Sequence, residues 1–171
     1  MPEWPGGVRN WDYRYVWIRD AAFTAQALLL LGHFREAEAF LSWVLNRGTD
    51  PEGGDPLRVL YGAHGQTAPE ERELSHLAGF GGARPVRVGN AARDQFQLDF
   101  FGEFLDAARL LAVQRPAILD GHFARLSGWT EEVVRRWREP DCGIWEVRGP
   151  PQQYVHSKLM AWVALDRSVD L

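Results

Sequence analysis

Glu146 sits in the run Asp141-Cys142-Gly143-Ile144-Trp145-Glu146-Val147-Arg148-Gly149-Pro150-Pro151, a loop-like stretch with one carboxylate wedged between an indole and an aliphatic side chain. A carboxyl group held against apolar surface resists ionisation, because burial disfavours the charged form. If it keeps its proton near neutral pH, it can protonate a leaving-group oxygen. That is half of the chemistry that breaks a glycosidic bond.

A second run, Arg9-Asn10-Trp11-Asp12-Tyr13-Arg14-Tyr15-Val16-Trp17-Ile18-Arg19-Asp20, places four aromatics among three Arg and two Asp. Arg offers a planar fork of donors and Asp offers acceptors, the two kinds of partner that sugar hydroxyls take. Arg19-Asp20 just ahead of an apolar run suits a grip on one sugar ring. The same residues suit a salt-bridged, capped helix start, and spacing alone leaves both open.

Helices must position these runs. The first is expected over about Asp20–Leu31; it is apolar nearly all round, as in a buried helix, and Gly32 supplies a stop. The second, about Phe34–Asn46, repeats Ala37, Phe40, Leu41, Val44 and Leu45 at helical spacing, with Arg35, Glu36 and Glu38 facing out. The two should form a helical hairpin. A long Gly- and Pro-rich region, about Gly48–Asn90, follows; it holds turn signals at Gly53-Gly54-Asp55-Pro56 and Gly79-Phe80-Gly81-Gly82 and a short strand candidate at Arg58–Tyr61.

A third helix is expected over about Ala92–Val113 and a fourth over about Ile118–Arg138, with Gly128 as a possible break and Thr130 as a new N-cap. The fourth should bury Leu119, Phe123, Leu126, Val133 and Trp137. The fifth, from about Val155 to the end, should use Val155, Leu159, Trp162 and Val163. Buried and amphipathic helices therefore alternate.

Composition narrows the function classes. The net charge of −4, with no basic run, argues against a nucleic-acid or anionic-membrane surface. No apolar stretch reaches membrane-spanning length, and no signal peptide is visible, so a cytoplasmic location is expected. Cys142 is the single cysteine, which fits a reducing compartment. The five His form no metal-ligand pattern, and Gly79-Phe80-Gly81-Gly82 is not a dinucleotide fingerprint, so no cofactor or metal is expected. Eight Trp make either a large core or platforms for the apolar faces of sugar rings.

The motifs GGVRNWDYRYVWIRD and GIWEVRG…YVHSKLMAWVALDR, with Pro85–Asp99 between them, resemble glycoside hydrolase family 15, which contains glucoamylases, glucodextranases and a bacterial branch with trehalases. The resemblance implies an all-α fold, an (α/α)6 barrel, with inner and outer rings of helices. It implies that Glu146 is the general acid and that Arg19 and Asp20 hold the nonreducing-end sugar. Tyr13 and Trp17 match aromatics lining that pocket, and Trp145 would shape the same wall. Arg93 and Asp94 fall where the family places a polar, sugar-facing loop. Val88 stands where fungal glucoamylases carry Trp, which puts starch in doubt. The implied reaction is hydrolysis of an α-glucosidic bond with inversion, in which a second carboxylate activates water on the opposite face.

The family's base motif is not found in the sequence. Residues 1–171 are expected to form the first half of a barrel, without the N-terminal β-sandwich or the C-terminal half. The expected partner is a small carbohydrate, with no nucleic acid and no membrane; exposed half-barrel faces would favour self-association. A non-catalytic carbohydrate-binding remnant is the alternative. A helical-toroid terpenoid cyclase is disfavoured, since there is no Asp-rich metal motif.

Overall fold

The computed structural model describes residues 2–47 and 57–171. The turn signal at Gly53–Pro56 lies outside them. The fold is all-α. Its helices are α1 (Ile18–Leu30), α2 (Phe34–Leu45), α3 (Asp99–Gln114), α4 (Phe123–Arg136) and α5 (Val155–Asp170). Among the described residues, two-residue strands β1 (Val16–Trp17), β2 (Leu60–Tyr61), β3 (Arg72–Glu73) and β4 (Arg87–Val88) lie in the connecting segments. The chain divides into two compact units, one of residues 2–16 and Leu60–Asp94, the other of 17–47, 57–59 and Gln95–Leu171.

Among the described residues, the second unit holds the five α-helices. Its centre is α3, which packs against both α1 and α5, while α2 packs on α1 and α3, and α4 on α5 and α3. Inner and outer helices thus alternate along the chain, as the sequence pattern requires and as a partial (α/α) barrel would have them. Phe100, Phe101, Phe104, Leu105, Ala108 and Leu111 bury α3, and Trp129 of α4 meets Phe104 edge-on at 5.2 Å.

The hairpin forms as expected. Gly32 takes φ 82°, and the bond from His33 N to Leu28 O closes the end of α1. The face of α2 is Ala37, Leu41, Val44 and Leu45. But α1 is not covered all round: Ile18, Arg19, Ala22, Ala25 and Leu29 are buried, whereas Phe23 and Leu30 are exposed.

Three helix expectations need correction. The third helix begins at Asp99, not Ala92; residues Ala91–Asp94 form a short 3₁₀ turn. Between them, Phe96 O accepts from Cys142 N and Leu98 N donates to the Asp141 carboxylate, so these backbone groups are satisfied outside a helix. In α4, Gly128 is no break and Thr130 is no N-cap. The helix runs through both, and Thr130 Oγ1 bonds Leu126 O and Ser168 Oγ. Burial of Leu126, Trp129 and Val133 outweighs the local cost of glycine, while Phe123 is exposed.

The buried face of α5 is Ser157, Met160, Ala161 and Ala164, and Val155, Leu159 and Trp162 are exposed instead. Close approach to α3 selects the small residues. A Cβ added at Gly102 of α3 would fall 2.2 Å from Met160 O.

The first unit is mostly irregular. β3 and β4 pair antiparallel, Arg72 opposite Val88 and Glu73 opposite Arg87. Its anchor is the buried Asp12. The Asp12 carboxylate accepts from Arg14 Nε and Nη2, both at 2.7 Å, from Tyr15 Oη at 3.0 Å and from Gly89 N at 3.1 Å. Asn90 Nδ2 donates to Asp12 O, tying the 10–15 segment to the 85–94 segment.

Candidate active site

The loop before α5 is folded tightly around Glu146. Gly143 sits at φ 65°, with Tyr154 packed where a Cβ would lie. Glu146 N donates to Gly143 O and Val147 N to Cys142 O. Glu146 itself adopts φ 54°, a left-handed conformation rare for a side chain of this kind. Held strain of this sort is found where the surroundings over-determine a functional side chain. Here those surroundings are visible. Asp141 pairs with Gln152 in both backbone directions, its Oδ2 takes the Leu98 amide, and Gln95 Nε2 donates to the carbonyls of Glu146 and Val147.

Three donors converge on one oxygen of the Glu146 carboxyl. Trp17 Nε1 lies 2.5 Å from Oε1, Arg19 Nη2 3.2 Å and Gln97 Nε2 3.4 Å. Oε2 takes none of the three. The side chain is 19 % exposed. The carboxyl is therefore fixed in orientation through one oxygen.

This is not the apolar sleeve that the sequence suggested. Trp145 is 84 % exposed, and Val147 is exposed too, so the flanking residues do not shield the acid. The reason is the left-handed turn, which carries Glu146 inward onto Trp17 and Arg19 while Trp145 stays outside. The indole that touches Glu146 comes from Trp17.

Arg19 is buried at the first turn of α1, where Ile18 N bonds Val59 O. Its guanidinium is enclosed by protein. Nη1 donates to Gln97 Oε1 at 2.7 Å and to Asp99 Oδ2 at 3.2 Å, Nη2 reaches Glu146, and Nε lies 3.7 Å from Asp20 Oδ2. The Asp20 side chain, 70 % exposed, is the open member of the pair. Trp17, Arg19, Asp20 and Glu146 thus form one constellation in the second unit.

Tyr13, Arg93 and Asp94 belong to the first unit. Tyr13 is half exposed. Arg93 Nη1 donates to Ala68 O at 2.6 Å and its Nε to the exposed Asp94 carboxylate at 3.2 Å.

Sequence reading missed Gln95, Gln97, Asp99 and Glu103. The signal was present as polar residues alternating with Phe96 and Leu98 ahead of an apolar helix, but the expected helix masked it. Asp99 is buried and its carboxyl is pushed up, first by burial, against the pull of Arg19. Glu103, one turn further along α3, is also buried. Its carboxyl is raised to about 7 by burial and then by the neighbouring charge of Asp99. His156 Nε2 of α5 lies 3.6 Å from Glu103 Oε1. The Cys142 thiol is buried and raised by desolvation, which leaves it a poor nucleophile. Among the described residues no cluster of His, Cys, Asp and Glu could hold a metal ion, and no helix is long and apolar enough to cross a membrane.

The model of Glycosyl hydrolases family 15 matches residues 1–171. The chain is 47% identical to a trehalase of Mycolicibacterium smegmatis over 172 residues, covering 100% of this chain and 26% of the relative. It is 46% identical to a trehalase of Mycobacterium tuberculosis, covering 100% and 25%. Trehalase 1 of Sulfolobus acidocaldarius is 40% identical, with 98% and 30% covered. The chain thus spans about a quarter of the length of the curated relatives it matches. No solved structure matches it significantly.

Proposed function

Because the chain belongs to glycosyl hydrolase family 15, we propose that the protein carrying it hydrolyses an α-glucosidic bond from the nonreducing end, with trehalose the first substrate to try. In this reading residues 1–171 are part of an (α/α)6 catalytic barrel. The observation that carries it is the Glu146 carboxyl, fixed through Oε1 by Trp17, Arg19 and Gln97 on a strained turn, with none of these bonds to Oε2.

Glu146 Oε2 donates its proton to the glycosidic oxygen as the C–O bond breaks. An opposing carboxylate, not assigned to any residue of this chain, takes a proton from the attacking water, and the anomeric configuration inverts. The open Asp20 carboxylate accepts from hydroxyls of the terminal sugar. Arg19 braces that carboxylate and the acid together. Trp17 and Trp145 supply aromatic surface in the second unit; Tyr13, Arg93 and Asp94 are the residues of the first unit proposed to contact sugar. The exposed apolar residues of α1 and α5 (Phe23, Leu30, Leu159 and Trp162) are the faces through which self-association would act. Sedimentation across a concentration series reads it.

The test is Glu146→Gln in the natural gene product. Loss of a general acid lowers turnover by about 10²–10⁴-fold while sugar affinity, measured by calorimetry, stays within a few-fold. Near-normal turnover would remove Glu146 from the acid role. Binding without any turnover in the unaltered protein would favour a carbohydrate-binding module instead.

A further inference from the structure

Resting on that reading of Glu146, we propose that Asp99 is a positioning residue: it takes up the charge of Arg19, so that the arginine can orient Glu146 without holding it ionised. The site has a built-in conflict. A general acid must keep its proton, yet one oxygen of Glu146 accepts from Arg19 at 3.2 Å. An arginine with a carboxylate as its main partner draws that carboxyl down by about 1–3 pH units. Arg19 cannot be left out, because together with Trp17 and Gln97 it fixes the carboxyl.

The buried side of Arg19 resolves the conflict. Asp99 Oδ2 lies 3.2 Å from Nη1, on the nitrogen that does not reach Glu146. It is fully buried, so its charge is little screened by solvent. Asp99 Oδ1 has no hydrogen-bond partner among the described residues. A carboxylate buried at that cost points to a use for its charge.

Asp99 must then be ionised; burial pushes its carboxyl up, and Arg19 and then His156 pull against that. Glu103, four residues along the same helix face, has no arginine within ion-pair distance among the described residues; burial and the charge of Asp99 raise it to about 7 against a weaker pull from Arg19, so in this proposal the proton goes to Glu103. The remaining charged or titratable groups around the network are Asp20 on α1, Asp106 on α3, His156 and Arg167 on α5, and Asp141 and Cys142 in the loop. Asp20 is exposed, and Asp106 is tied to Arg167 at 2.6 Å. Asp141 accepts from Leu98 N, and Cys142 is a buried thiol. His156 faces Glu103. Among these, Asp99 is the buried anion that lies on Arg19.

The experiment is the pH dependence of turnover in the natural gene product, unaltered and as Asp99→Asn and Asp99→Glu. Asparagine keeps an acceptor for Arg19 but removes the charge. The alkaline limb of kcat should move down by about one pH unit, with kcat at pH 7 falling about tenfold and KM within about twofold. Asp99→Glu, which restores the charge, should recover most of the limb. An unmoved limb in Asp99→Asn, or equal shifts in both variants, would overturn the proposal.

A neutron structure of the unaltered protein near pH 6 decides the matter without activity or mutation. It should show no deuteron on Asp99 and one on Glu103; a deuteron on Asp99 overturns the proposal. If the unaltered protein cleaves no glycoside, the glycosidase reading fails on that result, and the neutron structure still decides what Asp99 does to Arg19.

Discussion

Asp12 in the first unit and Asp99 in the second are both buried aspartates within hydrogen-bonding reach of an arginine, yet their surroundings push them in opposite directions. Burial works to raise the Asp12 carboxyl, but bonds from the Arg14 side chain, Tyr15, and the Arg14 and Gly89 amides outweigh it and hold it at about 2. Asp99 shares one arginine with Gln97 and Glu146, leaves Oδ1 without a hydrogen-bond partner among the described residues, and is pushed up by burial. The difference lies in how many donors each carboxylate has to itself. Asp12 saturates its own needs and fastens a loop. Asp99 is undersatisfied, because its arginine is also committed to another carboxyl. A fully satisfied ion pair is a structural tie, whereas a shared arginine couples two acids.

The largest expected effect comes from breaking the satisfied side. Asp12→Ala removes the acceptor for Arg14, Tyr15 and Gly89 N together, and the glycine amide is buried. Arg14 is mostly exposed and can return to water, so the cost is set by the buried partners, about 3 kcal/mol. Urea unfolding near pH 7 measures it. The sign against pH follows from the depressed carboxyl. Its contribution is complete above the unfolded value near 3.8 and is lost as pH falls through about 2. The gap between unaltered and Asp12→Ala protein should therefore close between about pH 4 and pH 2. A constant gap would mean that Asp12 acts by shape rather than charge.

The same contrast explains what could be read from sequence. The five helices and their alternation were legible because apolar spacing reports burial directly: Ala37, Leu41, Val44 and Leu45 needed nothing beyond the period. Glu146, Arg19 and Asp20 were legible as residue types in motifs. The polar collar was not. Gln95, Gln97 and Asp99 read as the start of a helix, because nothing local shows that Asp141 and Cys142, more than forty residues away, satisfy the backbone there. The apolar flanks of Glu146 misled for a related reason. Adjacency in sequence says nothing about shielding once a left-handed turn sends neighbouring side chains in different directions. The face of α5 was misread because close approach at Gly102 rewards small residues over large ones.

A smaller effect sharpens the undersatisfied side. Glu103 has its carboxyl raised to about 7 against an unfolded value of 4.5. Between these values the folded protein binds more protons than the unfolded chain, so stability falls as pH rises through this window. Glu103→Gln removes that slope. The variant should match the unaltered protein near pH 4 and exceed it at pH 8 by on the order of 2 kcal/mol, read by denaturant midpoints at the two pH values. Parallel pH curves for the two proteins would show that the fold does not raise the Glu103 carboxyl.

The smallest expected effect is on the stability of Asp99→Asn, and it is the sharpest test of the contrast. A buried carboxylate that mainly tied the fold together would cost about 3–5 kcal/mol to disarm, as breaking a buried pair does. Asp99 differs because its partner is not orphaned. Arg19 keeps Glu146 at 3.2 Å, Gln97 at 2.7 Å and the Asp20 carboxylate at 3.7 Å, and asparagine still offers an oxygen to Nη1. The substitution also removes the charge from a carboxylate with an unpartnered oxygen and relieves its repulsion with Glu103. These gains and losses oppose one another, so the midpoint at pH 7 should move by less than about 1 kcal/mol in either direction. A loss as large as that of Asp12→Ala would make both aspartates structural ties. A near-neutral change, with the pH profile of turnover displaced, would separate a residue that holds the fold from one that tunes the acid beside it.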